Sequence, residues 1–97
     1  MESLYERALG LELSDRGLRH TRQMRVPAFY KGRLIGEHRV DLAVEDLVLI
    51  EVKAVDRLNP VFEAQMLTYL RLTQIRVGLI INFNSRLLKE GINRIIL

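Results

Sequence analysis

The chain has 97 residues, of which 48% are hydrophobic and 28% are charged, and this predicts one globular domain over residues 1–97. The absence of cysteine excludes disulfides, zinc–thiolate sites and thiol catalysis, and it fits a cytoplasmic location. A formal net charge of +3 and a pI of about 9.7 favour an anionic partner, although 12 acidic side chains offset most of the 15 basic ones.

The first half of the chain is predicted to form a helix and three strands. Apolar residues recur at helical spacing through residues 1–15, and Gly17 is suited to end that helix. An edge strand is expected at residues 26–30, because Pro27 lacks the N–H donor that a central strand needs. After a turn at residues 31–33, a second strand runs to about Val44. A third strand covers residues 47–54.

The second half is predicted to add a helix and two strands. Asn59 and Pro60 are residue types preferred at the N-cap and the first position of a helix, so a helix is expected through residues 61–72. A buried strand at 77–81, a helical turn or loop at 86–91 and a strand at 92–97 follow. The strand–helix–strand passage predicts a parallel crossover. The predicted fold class is α/β, with a mixed α+β sheet and helices packed on it.

Charged side chains follow an almost continuous apolar run at the end of the third predicted strand. The run Leu47–Ile50 indicates a strand buried on both faces. Glu51 and Lys53 come at its carboxyl end, where ligand sites gather in open α/β sheets. Because side chains alternate along a strand, these two side chains are expected on the same face.

Asp41 is expected to approach Glu51 if the second and third strands pair through a turn near residues 45–46. On the second strand, Val40, Leu42 and Val44 are predicted to form the apolar face, with Asp41 opposite them. Two carboxylates and an ammonium on one face of a sheet can hold a hard divalent cation and activate a water. A pattern this short is more often a solvated ion pair worth about 0–1 kcal/mol, so spacing alone leaves both interpretations open.

Two further features have both a structural and a functional interpretation. Gln65 and Tyr69 are four residues apart on the second predicted helix and share one face. Periodicity favours a core position for Tyr69 with Gln65 at its edge; alternatively, Gln65 contacts substrate or orients a catalytic group. The basic side chains that are densest along the chain form either a phosphate-binding surface or an ordinary mixed surface: Arg16, Arg19, His20, Arg22, Arg25, Lys31, Arg33, His38 and Arg39.

Taken together, these motifs resemble the PD-(D/E)xK nuclease superfamily. They are Asp41, then Glu51-Val52-Lys53, then the Gln65-x-x-x-Tyr69 helix typical of its exonuclease-like branch; Val40 stands where the formal name has proline. Other segments are similar to the small bacterial and archaeal group called GxxExxY proteins: Glu2-x-x-Tyr5-Glu6-x-Ala8-Leu9, Glu63-Ala-Gln-Met-Leu-Thr-Tyr-Leu-Arg71 and Gly78-Leu-Ile-Ile-Asn-Phe-Asn84.

The resemblance implies a restriction-endonuclease-like αβββαβ core with a further C-terminal strand. It also implies a phosphodiesterase that depends on Mg²⁺ or Mn²⁺. The implied metal ligands are Asp41, Glu51 and the backbone carbonyl of Val52, with Glu2 as a further candidate from the first helix. The resemblance also implies that Lys53 positions or deprotonates the attacking water or offsets negative charge, and that Gln65 and Tyr69 support the site from the helix. Tyr69 and Arg39 are in addition expected to bind substrate.

Three functional hypotheses remain at this point. The first is a metal-dependent nuclease acting on DNA or RNA. The second is a non-catalytic nucleic-acid-binding or assembly module on a nuclease scaffold, whose affinity would depend on salt and not on metal. The third is a protein-interaction or oligomer-forming domain with a large exposed apolar patch. A homodimer would suit so short a chain.

Overall fold

The computed structural model describes residues 1–97 as five strands in one mixed sheet with two α-helices. The strands lie side by side in chain order, and every neighbouring pair is antiparallel except the third and fourth, which are parallel. This confirms the predicted fold class, a restriction-endonuclease-like mixed sheet. The elements are α1 (Glu2–Asp15), β1 (His20–Tyr30), β2 (Arg33–Val44), β3 (Val48–Lys53), α2 (Pro60–Thr73), β4 (Val77–Asn82), a 3₁₀-helix (Leu88–Gly91) and β5 (Ile92–Ile96).

Both helices have the end signals that the sequence indicates. Helix α1 ends where Gly17 takes a φ of 71°, and the N–H groups of Gly17 and Leu18 donate to Ser14 O (3.0 Å) and Leu13 O (2.9 Å). Helix α2 begins at Pro60 after Asn59, whose side-chain oxygen accepts from the Val61 N–H at 2.9 Å. Neither helix is long and apolar enough to cross a membrane.

The sheet has an apolar layer on each face, and each layer is covered by one helix. Helix α1 covers the first layer, whose buried members are Leu13, Leu42, Val44, Ile50, Val52 and Ile81. Helix α2 covers the second layer, whose buried members are Val26, Val40, Ala43, Leu49, Met66, Tyr69, Leu70, Ile80 and Ile95. Adjacent residues Leu49 and Ile50 are buried in opposite layers, so β3 is buried on both faces as its apolar run predicts.

The β1–β2 hairpin is longer than the sequence suggests. The edge position predicted for β1 is correct, but the strand begins at His20 and not near Val26. Most side chains of its first half are exposed, so the hydrophobic pattern that would reveal a strand is weak there. The turn is at Lys31 and Gly32, which both have positive φ (49° and 76°), as a two-residue type I′ hairpin turn requires.

One predicted face is wrong. Val40 was expected to share an apolar face with Leu42 and Val44, but it packs in the α2 layer while those two pack in the α1 layer. Side chains of β2 do not alternate strictly between the two layers across Asp41. The pairing of β2 with β3 covers only Leu42 to Val44, so Val40 lies beyond the part of β2 that this pairing holds. The pairing of β2 with β1 is also interrupted at Asp41, opposite Gln23, whose φ is +54°. The interruption at Asp41 lets residues on either side of it face opposite layers.

We expect Asn59→Ala to destabilise the protein by about 1 kcal/mol, because the first turn of α2 loses its side-chain acceptor. Urea unfolding followed by far-UV circular dichroism measures this. Asn59→Asp keeps an acceptor at the helix N-terminus and should stay near the wild-type value. Equal losses in both variants would contradict the capping role.

Candidate active site

Strands β2 and β3 separate at Asp41, and two carboxylates occupy the point of separation. The regular ladder ends with the pair Leu42 and Ile50, so the next register position brings Asp41 opposite Glu51. There the Asp41 N–H donates to Glu51 Oε1 at 3.0 Å, and the Val52 N–H donates to Asp41 Oδ2 at 2.8 Å. Each carboxylate thus accepts a backbone donor of the opposite strand. We call Asp41, Glu51 and the Val52 backbone the fork.

Lys53 lies beside the fork, two residues after Glu51 on the same strand. Its Nζ is 3.8 Å from Glu51 Oε2 and 4.2 Å from the centroid of the Phe62 ring on α2. The side chains of Lys53 and Glu51 are only 17% and 13% exposed. A carboxylate and an aromatic face together compensate the partial burial of the ammonium. The structure therefore brings together the two carboxylates and the lysine that the sequence predicts to meet.

Burial and like charge disfavour ionisation of the fork carboxylates. Burial, followed by the negative charge of Asp41, raises the pKa of Glu51 to about 7. Burial also raises the pKa of Asp41; the hydrogen bond from Val52 opposes this, and the charge of Glu6 adds to it. A divalent cation at the fork would reverse this preference by stabilising both ionised carboxylates.

The donor set of the fork fits a hard divalent cation such as Mg²⁺ or Mn²⁺. No group of three or more His, Cys, Asp or Glu side chains forms a complete protein cage for a metal. Mg²⁺ does not need one, since it usually takes one or two carboxylates and keeps several waters. The N–H and C=O of a strand residue point to the same side, so the Val52 carbonyl is directed to the side of β3 from which its N–H reaches Asp41.

A family model described as the PD-(D/E)XK nuclease superfamily matches residues 1–95 of this chain. The chain belongs to that superfamily. No curated protein matches it. The matched residues include both helices and nearly the whole sheet, so Asp41, Glu51 and Lys53 all lie within the match.

This superfamily member has a buried acid on α1 that sequence reasoning missed. Glu6 is 4% exposed. One of its oxygens accepts from Arg22 Nη2 (2.6 Å) and Nε (3.0 Å), and the other accepts from Gln23 Nε2 (2.7 Å). The same Gln23 amide nitrogen lies 3.4 Å from Asp41 Oδ1. Glu6 is therefore linked to the fork through one amide group.

Glu2, the α1 acid selected from the sequence, lies elsewhere. It is exposed in the first turn of the helix, and its side chain makes no hydrogen bond or ion pair. A helical signal points to Glu6 instead, because Glu6, Gly10 and Leu13 follow the spacing of one face and all three are buried. An acid on the buried stripe of an amphipathic helix is a stronger site candidate than an acid at its exposed end.

The remaining candidate residues, on α2 and β2, differ in how far they are buried. Tyr69 is 9% exposed in the α2 layer, its ring is 5.4 Å from that of His38, and burial together with Glu51 and Asp41 raises its pKa. Gln65 is exposed and makes no hydrogen bond, and Arg39 is exposed and 3.7 Å from Glu37. The favoured interpretation of Tyr69 as a core aromatic agrees with its burial.

The side chain of Asn82 holds the backbone at Val55, two residues after Lys53. The sequence pattern did not identify Asn82 as a buried residue. Asn82 is 7% exposed, its Oδ1 accepts from the Val55 N–H (3.1 Å), and its Nδ2 donates to Val55 O (2.9 Å). The Phe83 N–H donates to Lys53 O at 2.8 Å. Strand β4 thus holds the end of β3 in place where the lysine emerges.

We expect the metal-free protein to lose stability as pH rises, in part through Glu51. Its folded pKa of about 7 lies above the ordinary 4.5, so the stabilisation is complete below about pH 4.5 and disappears as pH passes 7. The shift corresponds to roughly 3 kcal/mol. Urea unfolding in EDTA between about pH 5 and 8 should show a smaller decline for Glu51→Gln than for wild type. The exposed Glu90→Gln is the control; an undiminished decline in Glu51→Gln would contradict the assignment.

We expect Arg22→Met to destabilise the protein by about 2 kcal/mol, because the buried carboxylate of Glu6 loses its charged partner. The figure is below that for a fully buried pair since the Arg22 side chain is 36% exposed. Arg16→Met is the control, because its pair with Glu12 is exposed and worth at most a few tenths of a kcal/mol. Equal losses in thermal or urea unfolding would show that Glu6 does not depend on Arg22.

Proposed function

We propose that this chain is a divalent-metal-dependent nuclease that hydrolyses phosphodiester bonds in DNA or RNA. The observation that carries the proposal is the fork, where Asp41 and Glu51 meet across two separating strands beside the half-buried ammonium of Lys53. A surface ion pair would leave these groups solvated. Membership of a nuclease superfamily supports the same chemistry.

Asp41, Glu51 and the Val52 carbonyl are the proposed ligands of Mg²⁺ or Mn²⁺. When bound, such an ion lowers the pKa of a coordinated water and neutralises charge on a phosphate. The protein contributes the fixed positions of the two carboxylates, which backbone N–H groups orient from opposite strands. The raised pKa values of both carboxyls fit a site in which a bound cation stabilises the ionised carboxylates.

Lys53 is proposed to stabilise the negative charge that develops on the phosphate. Its Nζ is held near Glu51 and the Phe62 ring, so its position is fixed before substrate arrives. A fixed cation in a partly buried site stabilises a transition state more than a solvated one does. The same position allows it to orient the attacking water.

The outer residues have supporting roles in this proposal. Gln65, exposed on α2 and four residues before Tyr69, is available to hydrogen-bond substrate or the attacking water. Tyr69, whose ring lies 5.4 Å from that of His38, is proposed to contact substrate, and Arg39 provides an exposed cation for phosphate. Glu6 replaces Glu2 as the third acid of the site in this proposal, but it acts on Asp41 through the Gln23 amide and not as a metal ligand.

Finer assignments follow from the sequence motifs. We propose that the chain belongs to the GxxExxY group, a proposal supported by its Glu2-x-x-Tyr5 segment and by the segments at residues 63–71 and 78–84. We also propose that residues 1–97 act as one nuclease domain in the cytoplasm, which agrees with a cysteine-free chain.

A second candidate function is supported by one feature of the fork. Both carboxylates already accept backbone hydrogen bonds. In this second candidate function their role is purely structural, which is to satisfy the backbone N–H groups where the two strands separate. The chain would then be a non-catalytic nucleic-acid-binding or assembly module. Its affinity for polynucleotide would depend on salt and be indifferent to Mn²⁺.

We expect Lys53→Met to reduce Mn²⁺-dependent cleavage of labelled single-stranded DNA or RNA by about 100-fold or more, because the phosphate loses a fixed cation. Glu51→Gln should abolish cleavage. Lys89→Met, which removes an exposed lysine on the 3₁₀-helix, should cleave as wild type does. A Lys53→Met protein with wild-type cleavage would contradict the role of Lys53, and cleavage that survives in Glu51→Gln would contradict the site.

A further inference from the structure

The β1–β2 hairpin extends well beyond the rest of the sheet. Strand β2 pairs with β3 only through residues 42–44, whereas it pairs with β1 along its length to the Tyr30 and Arg33 pair. We call residues 25–39 the arm. Eight residue steps separate Arg33 from Asp41, so the tip of the arm lies roughly 26 Å from the fork at about 3.3 Å per residue. The molecule is correspondingly elongated, with extents of 44 × 31 × 24 Å.

The tip of the arm carries four large apolar or aromatic side chains that are mostly exposed. Phe29 and Tyr30 are each 61% exposed, Leu34 is 65% exposed and Ile35 is 69% exposed. A register shift at Ala28 and Phe29 interrupts the pairing just before the turn. Four such side chains within one hairpin tip make the tip a candidate interaction surface.

The charge of the arm indicates a polyanionic partner. The arm contains four basic side chains (Arg25, Lys31, Arg33 and Arg39) and one acidic side chain (Glu37), so its net charge of +3 equals that of the whole chain. The Glu37 carboxylate forms ion pairs within 4 Å with two basic side chains, those of Arg25 and Arg39. Lys31 and Arg33, at the turn, have no acidic partner within 4.0 Å. The cations at the tip are therefore available to phosphates.

The side chains at the tip suit the stacking of bases and offer few groups to read a sequence. Residues 24–36 contain no Asn, Gln, Asp, Glu, Ser or Thr, so apart from its cations and the Tyr30 hydroxyl the tip has only apolar and aromatic groups. The Lys31 Nζ lies 5.5 Å from the centroid of the Tyr30 ring, which joins a cation to an aromatic face. Aromatic platforms beside cations bind unpaired bases with little sequence preference.

The arm also leads directly to the fork. Every second residue of β1 faces the same side, so Val26, Ala28 and Tyr30 share one face of the arm. Val26 packs in the α2 layer, which also contains Tyr69. On β2, His38 contacts Tyr69, and Asp41 follows three residues later. A strand of nucleic acid with one phosphate at the fork can thus extend along the arm towards Tyr30 and Arg33.

We propose that the arm is the substrate-holding element of this protein. Tyr30 stacks on an unpaired base on the face of β1 that Val26 shares, Phe29 stacks on a base on the opposite face, and Lys31 and Arg33 bind the adjacent phosphates. The proposal rests on the proposed nuclease function for its orientation relative to the fork. A second copy of the chain is a poorer occupant, because two arms in contact would bring like charges together.

The test is binding in EDTA, where hydrolysis does not interfere. Fluorescence anisotropy of a labelled single strand of mixed sequence should give a dissociation constant about tenfold higher or more for Phe29→Ala/Tyr30→Ala than for wild type. The matched control is Leu4→Ala/Leu11→Ala, which removes side chains of similar exposure (65% and 68%) from α1 and should bind as wild type does. A double variant of the arm that binds as tightly as wild type would overturn the proposal.

A second variant and a second readout make the result decisive even if the aromatic variant folds poorly. Lys31→Ala/Arg33→Ala should reduce the slope of log affinity against log salt by about 2, since two phosphate contacts are lost. An unchanged slope would overturn the proposal. So would sedimentation showing that either arm variant converts a dimer to a monomer while the affinity for the single strand is unchanged.

The same proteins separate this inference from the proposed function. Cleavage of the same strand is measured in parallel with Mn²⁺. If wild type does not cleave but the arm variants bind about tenfold more weakly, the inference stands and the proposed function fails. If wild type cleaves and the arm variants bind normally, the proposed function stands and the inference fails.

Discussion

The structure depends on one constraint, which is that strands β2 and β3 stop pairing at Asp41 while their backbone donors remain partly buried. An unpaired buried N–H costs free energy, so each strand needs an acceptor where the ladder ends. The Asp41 and Glu51 carboxylates provide these acceptors reciprocally. The same separation moves Val40 to the α2 layer and lets the β1–β2 arm extend beyond the rest of the sheet.

Satisfying the backbone in this way brings acidic groups together at an electrostatic cost. Asp41 and Glu51 lie in a half-buried site with Glu6 nearby, and the pKa of each fork carboxyl is raised as a result. Arg22 compensates Glu6, and Lys53 only partly compensates Glu51 at 3.8 Å. A site that disfavours its own ionised carboxylates fits the proposed metal-binding function, since natural proteins accept local electrostatic cost where function needs it.

Local signals in the sequence predict most of the fold. Gly17 and Gly32 fix the end of α1 and the β1–β2 turn by left-handed backbone geometry that glycine favours, and Asn59 fixes the start of α2 by accepting the Val61 N–H. The apolar run before Glu51 predicts a strand buried on both faces, and alternation then places Glu51 and Lys53 together. The meeting of Asp41 with Glu51 follows from a simple hairpin between neighbouring strands. The catalytic roles of these residues remain predictions.

Features that depend on tertiary structure are not visible in the sequence pattern. Val40 changes face because the ladder is interrupted at Asp41 and Gln23, and a rule of strict alternation assumes that no such interruption occurs. Glu6 was passed over because helix periodicity was followed through apolar residues alone, and a buried acid breaks that pattern. The length of β1 was missed because an exposed strand lacks the hydrophobic alternation that reveals strands.

The most direct test of the central claim, that the fork is a divalent-metal site, is a calorimetric titration of the metal-free protein with Mn²⁺. Wild type should bind Mn²⁺ saturably, and Asp41→Asn and Glu51→Gln should each lose that binding because one of the two anionic ligands is gone. The test needs no assumption about the substrate. Saturable binding that is unchanged in both variants, or no binding to the wild type, would contradict the claim.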